Sequence, residues 1–327
     1  MTPLLAIRDL EVTFAAGAAT LPVICGVDLS VGRGEILGIV GESGSGKSVT
    51  MLAAMGLAGP RARLAGSVRF DGEELIGRPA ETLRRLRGRR MAMIFQDPMT
   101  ALDPVITIGA QIAEAVRIHQ AISRRAAHER AVELLDRVAI PFPRRRALQY
   151  PHEFSGGMRQ RAMIAMAIAN DPELIIADEP TTALDVTVQA QILELLAGLV
   201  RDRGVGLALI THDLGVVAGL ADRVAIMYAG RVVEAAPVRE AFYAAAHPYT
   251  RNLIRSLPRI DGAGGRLVPI EGSPPSIAAR PPGCAFHPRC DSAVDACRET
   301  LPRLAGSAVH RVACLRATVP AAGEGVA

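Results

Sequence analysis

The sequence predicts an α/β fold built round a mainly parallel sheet, and three observations carry that prediction. Apolar, strand-like runs alternate with stretches of helical spacing, which implies parallel strands covered on both faces. A strand at residues 35–40, the loop GESGSGKS at 41–48 and a helix from Lys47 follow one another in the order a phosphate-binding loop requires. Lys47 is the only lysine among 37 Lys and Arg residues, and it falls inside that loop. A flat guanidinium is too wide for the space between a glycine loop and a triphosphate. A slim ammonium reaches the β- and γ-phosphates as a point charge.

Taken in order, residues 1–75 read as strands and turns around this loop. Its backbone N–H groups and the helix N-terminus are aimed at phosphate. Residues 80–168 are mostly helical. Ser123 is placed to cap a helix carrying Ala131, Leu134, Leu135 and Val138 on one side. A strand-like run at 91–95 precedes Gln96. Strands return at 174–177 and 206–210, separated by a helix over 186–201 with Val188, Ile192, Leu195 and Leu199 at helical spacing. A last helix ends near Leu257. Residues 258–283 then hold six Pro and five Gly, which reads as an irregular arm. The boundaries implied are a nucleotide-binding domain over 1–255, with a helical subdomain at about 97–168, and a Pro/Gly-rich linker with a Cys-rich extension over 256–327.

Half the residues are hydrophobic, enough for a sizeable core, and the net charge is +4. The arginine runs at 84, 85, 87, 89 and 90 and at 144–146 read as solvated helix faces. With four Tyr, seven Phe and no Trp there is little to stack on bases, so nucleic acid is not the expected partner. The longest uncharged run, 12–27, has 16 residues interrupted by Gly17 and Pro22, too short to span a bilayer. No apolar run follows a basic start, so the expectation is a cytosolic chain without a signal peptide. In that compartment five cysteines point to free thiols or metal rather than disulfides.

Two further motifs carry chemistry. LIIADE (174–179) is an apolar strand ending in two carboxylates. Adjacent residues at a strand end point differently. Asp178 can therefore face a metal beside Ser48 while Glu179 polarises an attacking water. In FSGGMRQR (154–161), Ser155 can cap a helix while Gly156 and Gly157 let a phosphate approach the backbone. Alone, each is also what a buried acidic-ended strand or an ordinary helix start looks like.

In this order the loop, FSGGM and the Asp-Glu pair resemble an ABC-type ATP-binding cassette over residues 1–240. The resemblance implies a P-loop ABC ATPase fold with antiparallel N-terminal strands and a helical subdomain. It implies ATP contacts from Phe14, stacking on adenine, and from Gly41, Glu42, Ser43, Gly44, Ser45, Gly46, Lys47, Ser48 and Val49. Ser155, Gly156, Gly157 and Met158 resemble the signature motif, with Met158 where Gln is more common. Gln96 resembles the Q-loop residue that watches Mg²⁺ and couples to membrane subunits, and joins Ser48 and Asp178 around the metal. Ala183, Leu184 and Asp185 resemble the D-loop, and His212 the switch histidine that contacts the γ-phosphate. Glu179, His212, Lys47 and Gln96 are then the catalytic set. Two cassettes would sandwich two ATPs, each between one P-loop and the partner's signature, leaving a single chain a poor ATPase.

A narrower resemblance rests on FQDPMTALDP (95–104), HPYTRNLI (247–254) and PPGCAFHPRC (281–290). These look like the oligopeptide/dipeptide importer subfamily, which also serves nickel. FSGGMRQR followed by MIAMAIA resembles its D-type ATPase subunit; Asp103 stands where many relatives have Asn. The implied function is ATP hydrolysis that powers peptide import, from the cytoplasmic face of the inner membrane. The implied partners are a second ATPase subunit (a non-identical F-type paralogue), two transmembrane permease subunits and an extracytoplasmic substrate-binding protein. Nickel or glutathione import by the same subfamily is the alternative. A soluble ABC ATPase of DNA repair or translation would carry long coiled coils or a second cassette, and this chain has neither.

Cys284, Cys290, Cys297 and Cys314 leave gaps of five, six and 16 residues. They are either four reduced thiols or ligands of a shared metal. Zinc sites favour a C-x₂₋₄-C knuckle and none occurs; iron–sulfur clusters tolerate wider gaps. Relatives with this tail are associated with a [4Fe-4S] cluster, which is the cofactor the resemblance implies beside ATP and Mg²⁺, with Zn²⁺ or no metal as alternatives. His287 and His310 are further candidate ligands, and Cys25 reads as core.

Overall fold

The structure, a computed structural model, describes residues 2–17, 19–182, 184–257 and 269–317. Ala183 of the D-loop resemblance and residues 258–268 of the Pro/Gly arm lie outside the described residues. The strands are β1 (Leu5–Ala16), β2 (Ala19–Val31), β3 (Ile36–Val40), β4 (Ala62–Phe70), β5 (Glu73–Glu74) and β6 (Met91–Ile94). They continue with β7 (Leu174–Asp178), β8 (Gly206–Thr211), β9 (Arg223–Tyr228), β10 (Arg231–Pro237), β11 (Ala305–Gly306) and β12 (Arg311–Val312). Two compact units divide the chain. Of the described residues, a helix-rich unit takes those within 2–5, 31–36 and 77–210, and a loop-bearing unit takes those within 6–30, 37–76 and from 211 on.

In the helix-rich unit β6 runs parallel to β7, Met91 opposite Leu174, and β7 parallel to β8, Leu174 opposite Gly206. Every residue of these strands except the last few polar ends is apolar and buried, as parallel strands covered on both faces require. The helix Arg124–Arg137 begins where the sequence places its cap, with the Ser123 hydroxyl accepting from the Ala126 N–H at 3.1 Å. Its Ala131, Leu134 and Leu135, and Val138 just beyond, are buried. The helix Val186–Arg203 runs two residues past the predicted end and stops at Gly204 in the left-handed region. It buries Leu196 with Ile192 and Leu199, so the core stripe passes through Leu196 rather than Leu195. Within the arginine runs Arg84 and Arg85 reach Glu81, Arg144 reaches Glu129 and Arg90 reaches Glu173, while Arg146 donates to Gln149.

The loop-bearing unit holds one sheet in the order β2-β1-β4-β5, with β4 and β5 antiparallel. Beside β3 lies β9, parallel, with Val40 opposite Ile226. Next comes β10, antiparallel, with an irregularity between Val232 and Glu234. The chain's last described strands then pair on: β12 lies antiparallel to β10, and β11 to β12. Residues beyond 255 therefore contribute strands and core to the unit that carries the P-loop. Phe286 is buried in one cluster with Val40, Val217, Ile226, Tyr228 and Tyr249. No helix among the described residues is long and apolar enough to cross a membrane.

Candidate functional site: a phosphate loop and its C-terminal brace

β3 ends at Val40, and the loop turns into the helix Lys47–Ala54. The turn depends on a residue without a side chain: a Cβ on Gly41 would lie 2.2 Å from the Met227 carbonyl oxygen. Lys47 is 6% exposed, and its Nζ donates to the carbonyls of Gly41 at 2.7 Å and Glu42 at 3.1 Å. The Ser45 hydroxyl is buried without a protein partner, as in a cradle built for ligand oxygens. Ser43 and Gly44 are exposed, while Ser48 and Val49 are half-buried at the helix start. Phe14, on β1, is half-buried in the same unit, and His212 is exposed just before the helix Leu214–Leu220, which Asp213 caps.

The helix-rich unit gathers the other predicted residues. Asp178 closes β7 and is 6% exposed. Glu179 follows in the left-handed region, at φ 46°, a conformation that costs a non-glycine residue about 1–3 kcal/mol. The Glu179 N–H donates to the Ile210 carbonyl at 2.9 Å and fixes the turn. Its carboxylate accepts from the Gln96 amide at 3.0 Å and from the Thr182 hydroxyl at 2.9 Å. Gln96 and Glu179, 83 residues apart, are thus direct neighbours. Thr182 was not singled out by sequence, although it sits three residues after Glu179. Ser155 caps the helix Gly156–Ala167 by accepting from the Met158 N–H at 3.3 Å. A Cβ on Gly157 would lie 2.7 Å from Cγ1 of Val188, so this helix packs directly on the one whose cap is Asp185.

The C-terminal segment reaches the phosphate loop. The Tyr249 hydroxyl accepts from the Glu42 N–H at 3.0 Å. The Arg289 guanidinium, 6% exposed, grips the Glu42 carboxylate at 2.7 and 3.0 Å and donates to the Tyr228 hydroxyl at 3.3 Å. It lies about 6 Å over the rings of Tyr228 and Phe286. The Glu42 carboxylate holds the Arg289 guanidinium well above the ordinary arginine range, against the opposing effect of burial. Burial drives the Tyr249 phenol strongly upward, so it stays a neutral acceptor. These contacts are what the sequence left unread, because Glu42, Tyr249 and Arg289 are far apart along the chain.

Cys284, Cys290, Cys297 and Cys314 line one cavity of about 210 Å³, together with His247, His287 and Phe286. Burial raises the Cys284 thiol, and the other three cysteines raise it further; Cys290 shifts the same way. His247, 1% exposed, accepts from the Tyr249 N–H through Nδ1, and burial depresses it to about 4, so it is neutral. His310 is placed elsewhere. Its Nε2 meets the buried Glu234 carboxylate at 2.8 Å, and its Nδ1 lies 3.3 Å from Glu240, which corrects its candidacy as a ligand beside the thiols. Cys25 is in the core, with the Arg280 guanidinium donating to its sulfur at 2.7 Å.

A glycine turn holding a buried lysine, a strand ending in two carboxylates and a capped SGG helix define a nucleotide-binding cassette. Residues 24–182 match the ABC transporter family, and residues 233–297 match the C-terminal region of oligopeptide/dipeptide transporters. The oligopeptide transport ATP-binding protein OppD of Salmonella typhimurium is 47% identical over 96% of this chain and 93% of its own length. OppD of Mycobacterium bovis is 52% identical over 97% of this chain, which spans about half, 52%, of that longer relative. Among solved structures, a dimeric ATP-binding cassette in a post-hydrolysis state bound to ADP and Pi superposes with a TM-score of 0.65 at 28% identity, over 72% of this chain and 99% of that one. The chain belongs to the ABC transporter ATP-binding proteins, in their oligopeptide/dipeptide branch.

Proposed function

We propose that this chain is the ATP-hydrolysing subunit that powers import of peptides by an ABC transporter. The observation that carries it is the Lys47 loop, whose buried amine and orphan Ser45 hydroxyl suit a triphosphate, in a chain that also carries the importer-type C-terminal region. Phe14 would stack on adenine, and residues Gly41 to Val49 would hold the phosphates. Ser48, Asp178 and Gln96 would hold Mg²⁺, which when bound neutralises phosphate charge. Glu179 orients and deprotonates the attacking water. The hydrogen bond from Gln96 keeps its carboxylate in place until that water arrives. His212 donates toward the γ-phosphate. Ser155, Gly156, Gly157, Met158 and Asp185 would serve the ATP held by a partner cassette. That partner is taken as a non-identical ATPase subunit, and the pair would sit beneath two permease subunits fed by an extracytoplasmic binding protein, at the cytoplasmic face of the membrane.

Cys284, Cys290, Cys297 and Cys314 are the residues that would hold the [4Fe-4S] cluster that the resemblance of the tail implies. They line a single cavity, where burial first and the neighbouring cysteines second raise the Cys284 thiol, and burial raises that of Cys290. Among the described residues no three His, Cys, Asp or Glu side chains are grouped to hold a metal ion, so the thiols as placed do not by themselves form a site for either iron or zinc. Reconstitution with the permease partners tests the main reading. Peptide-stimulated ATP hydrolysis supports it, whereas stimulation by a nickel chelate or glutathione alone would replace peptide as the cargo. Anaerobic purification with iron and sulfide assays tests the cluster. About four of each per chain supports it, and one zinc without iron sinks it.

A further inference from the structure

Glu42 is tied in three ways, and each tie reaches a different part of the molecule's chemistry. Its carbonyl accepts from the Lys47 amine at 3.1 Å. Its N–H donates to the Tyr249 hydroxyl at 3.0 Å. Its carboxylate is held by both terminal nitrogens of Arg289. In most of a phosphate-binding loop the backbone N–H groups are left to the phosphates. At Glu42 that N–H is already committed to a side chain from the C-terminal segment, which fixes the loop's entry.

The brace on Glu42 is itself rigid. Tyr228 and Tyr249 have ring centroids 4.7 Å apart, and Phe286 lies 5.3 Å from both. Aromatic residues make up only 3% of the chain, yet two of them pack on this one arginine and a third, Tyr249, packs on both. Arg289 also donates to the carbonyls of Ile270 and Glu271, so the segment just before it is drawn in as well. A guanidinium buried on aromatic faces and doubly bonded to a carboxylate is a strong, directional clamp. Arg289 lies between Cys284 and Cys290, so one turn presents the clamp to the loop and thiols to the cavity.

We propose that Arg289 and Tyr249 are positioning residues of the nucleotide site. They hold Glu42, and through its carbonyl the Lys47 amine, so nucleotide affinity depends on the C-terminal segment being docked. This rests on reading Lys47 as the ATP lysine. Neither residue is assigned contact with nucleotide; both act through Glu42.

The test is equilibrium binding of MgATP to the full-length chain and to R289Q, R289K, E42Q, Y249F and the E42Q/R289Q pair, with melting curves for each. R289Q is expected to weaken MgATP binding about tenfold, since a charge-assisted pair is lost. Y249F keeps the buried ring and is expected to weaken binding about threefold. R289K keeps charge without the fork and should fall between wild type and R289Q. The double variant should be no weaker than R289Q alone, because both changes break one contact. In steady-state assays of the assembled transporter the KM for ATP should rise while kcat holds, a split that general loss of fold does not produce. Should R289Q fail to fold, R289K and Y249F carry the comparison. Wild-type affinity in R289K and Y249F, or additive losses in the pair, overturns the inference alone. A wild-type chain that binds no MgATP overturns the nucleotide reading and this inference together.

Discussion

The phosphate loop and the Glu179 carboxylate, proposed to handle water, are held in contrasting ways. Around Lys47 and Glu42 the contacts are multiple and largely buried: two carbonyls on the amine, and a two-pronged arginine, a tyrosine hydroxyl and tilted, packed rings behind Glu42. Around half-buried Glu179 the bonds from Gln96 and Thr182 lie toward solvent, on a backbone in the left-handed region. Buried charge-assisted bonds resist water; bonds to a carboxylate near the surface are screened by solvent and exchange with it more readily. The contrast teaches that the part proposed to grip phosphate is built to stay, and the part proposed to handle water is built to change partners.

The largest expected effect tests the movable side. Glu179→Gln should slow ATP hydrolysis by roughly 10²–10⁴-fold in the assembled transporter while MgATP affinity stays near wild type. Equal loss of binding and turnover would erase the contrast. On the rigid side, Gly41→Ala pushes a methyl into the Met227 carbonyl. Urea unfolding of the full chain should show a loss of about 1–3 kcal/mol. An unchanged midpoint would mean the loop gives way easily.

A smaller effect concerns the far edge of the same unit. Glu234 is fully buried and accepts from His310 and from the N–H groups of Ala246 and His247. Burial alone would raise its carboxyl, but these bonds outweigh burial and hold it below the usual range. The same bond, against burial, raises His310 above its ordinary value of about 6.5. The sign follows from both shifts. His310 contributes stability that is full below about pH 6.5 and lost as pH rises through its raised value. Glu234 contributes stability that is full above about pH 4.5 and lost as pH falls through its lowered one. Melting temperatures should therefore decline on the alkaline side, and His310→Gln should flatten that decline. A variant with the same slope as wild type would show that His310 is not its source. The smallest effect is on stability in Gln96→Ala, under about 0.5 kcal/mol because the bond it removes is exposed. A larger loss would make the Gln96–Glu179 contact part of the scaffold.

Local chemistry made much of this readable from sequence. The strand–loop–helix around Lys47, the Ser123 and Ser155 caps and the strand into Asp178 are each set by residues a few positions apart, and each stands where expected. Contacts between distant residues were not readable. Nothing in GESGSGKS says that Glu42 meets Arg289, 247 positions on. The composition change at 258 suggested a separate extension, yet Arg311 and Val312 complete strand pairing with β10, because a two-residue strand has no periodicity to detect. His310 looked like a spare ligand beside four cysteines. Only the fold shows a buried carboxylate waiting for it.

The lone lysine has a practical meaning for labelling chemistry. An amine-directed reagent has one side chain to find in these 327 residues, at 6% exposure inside the phosphate loop. Acylation of a side chain is therefore a direct gauge of how open that loop is. Amine cross-linkers cannot tether this subunit through its side chains to anything that does not reach Lys47.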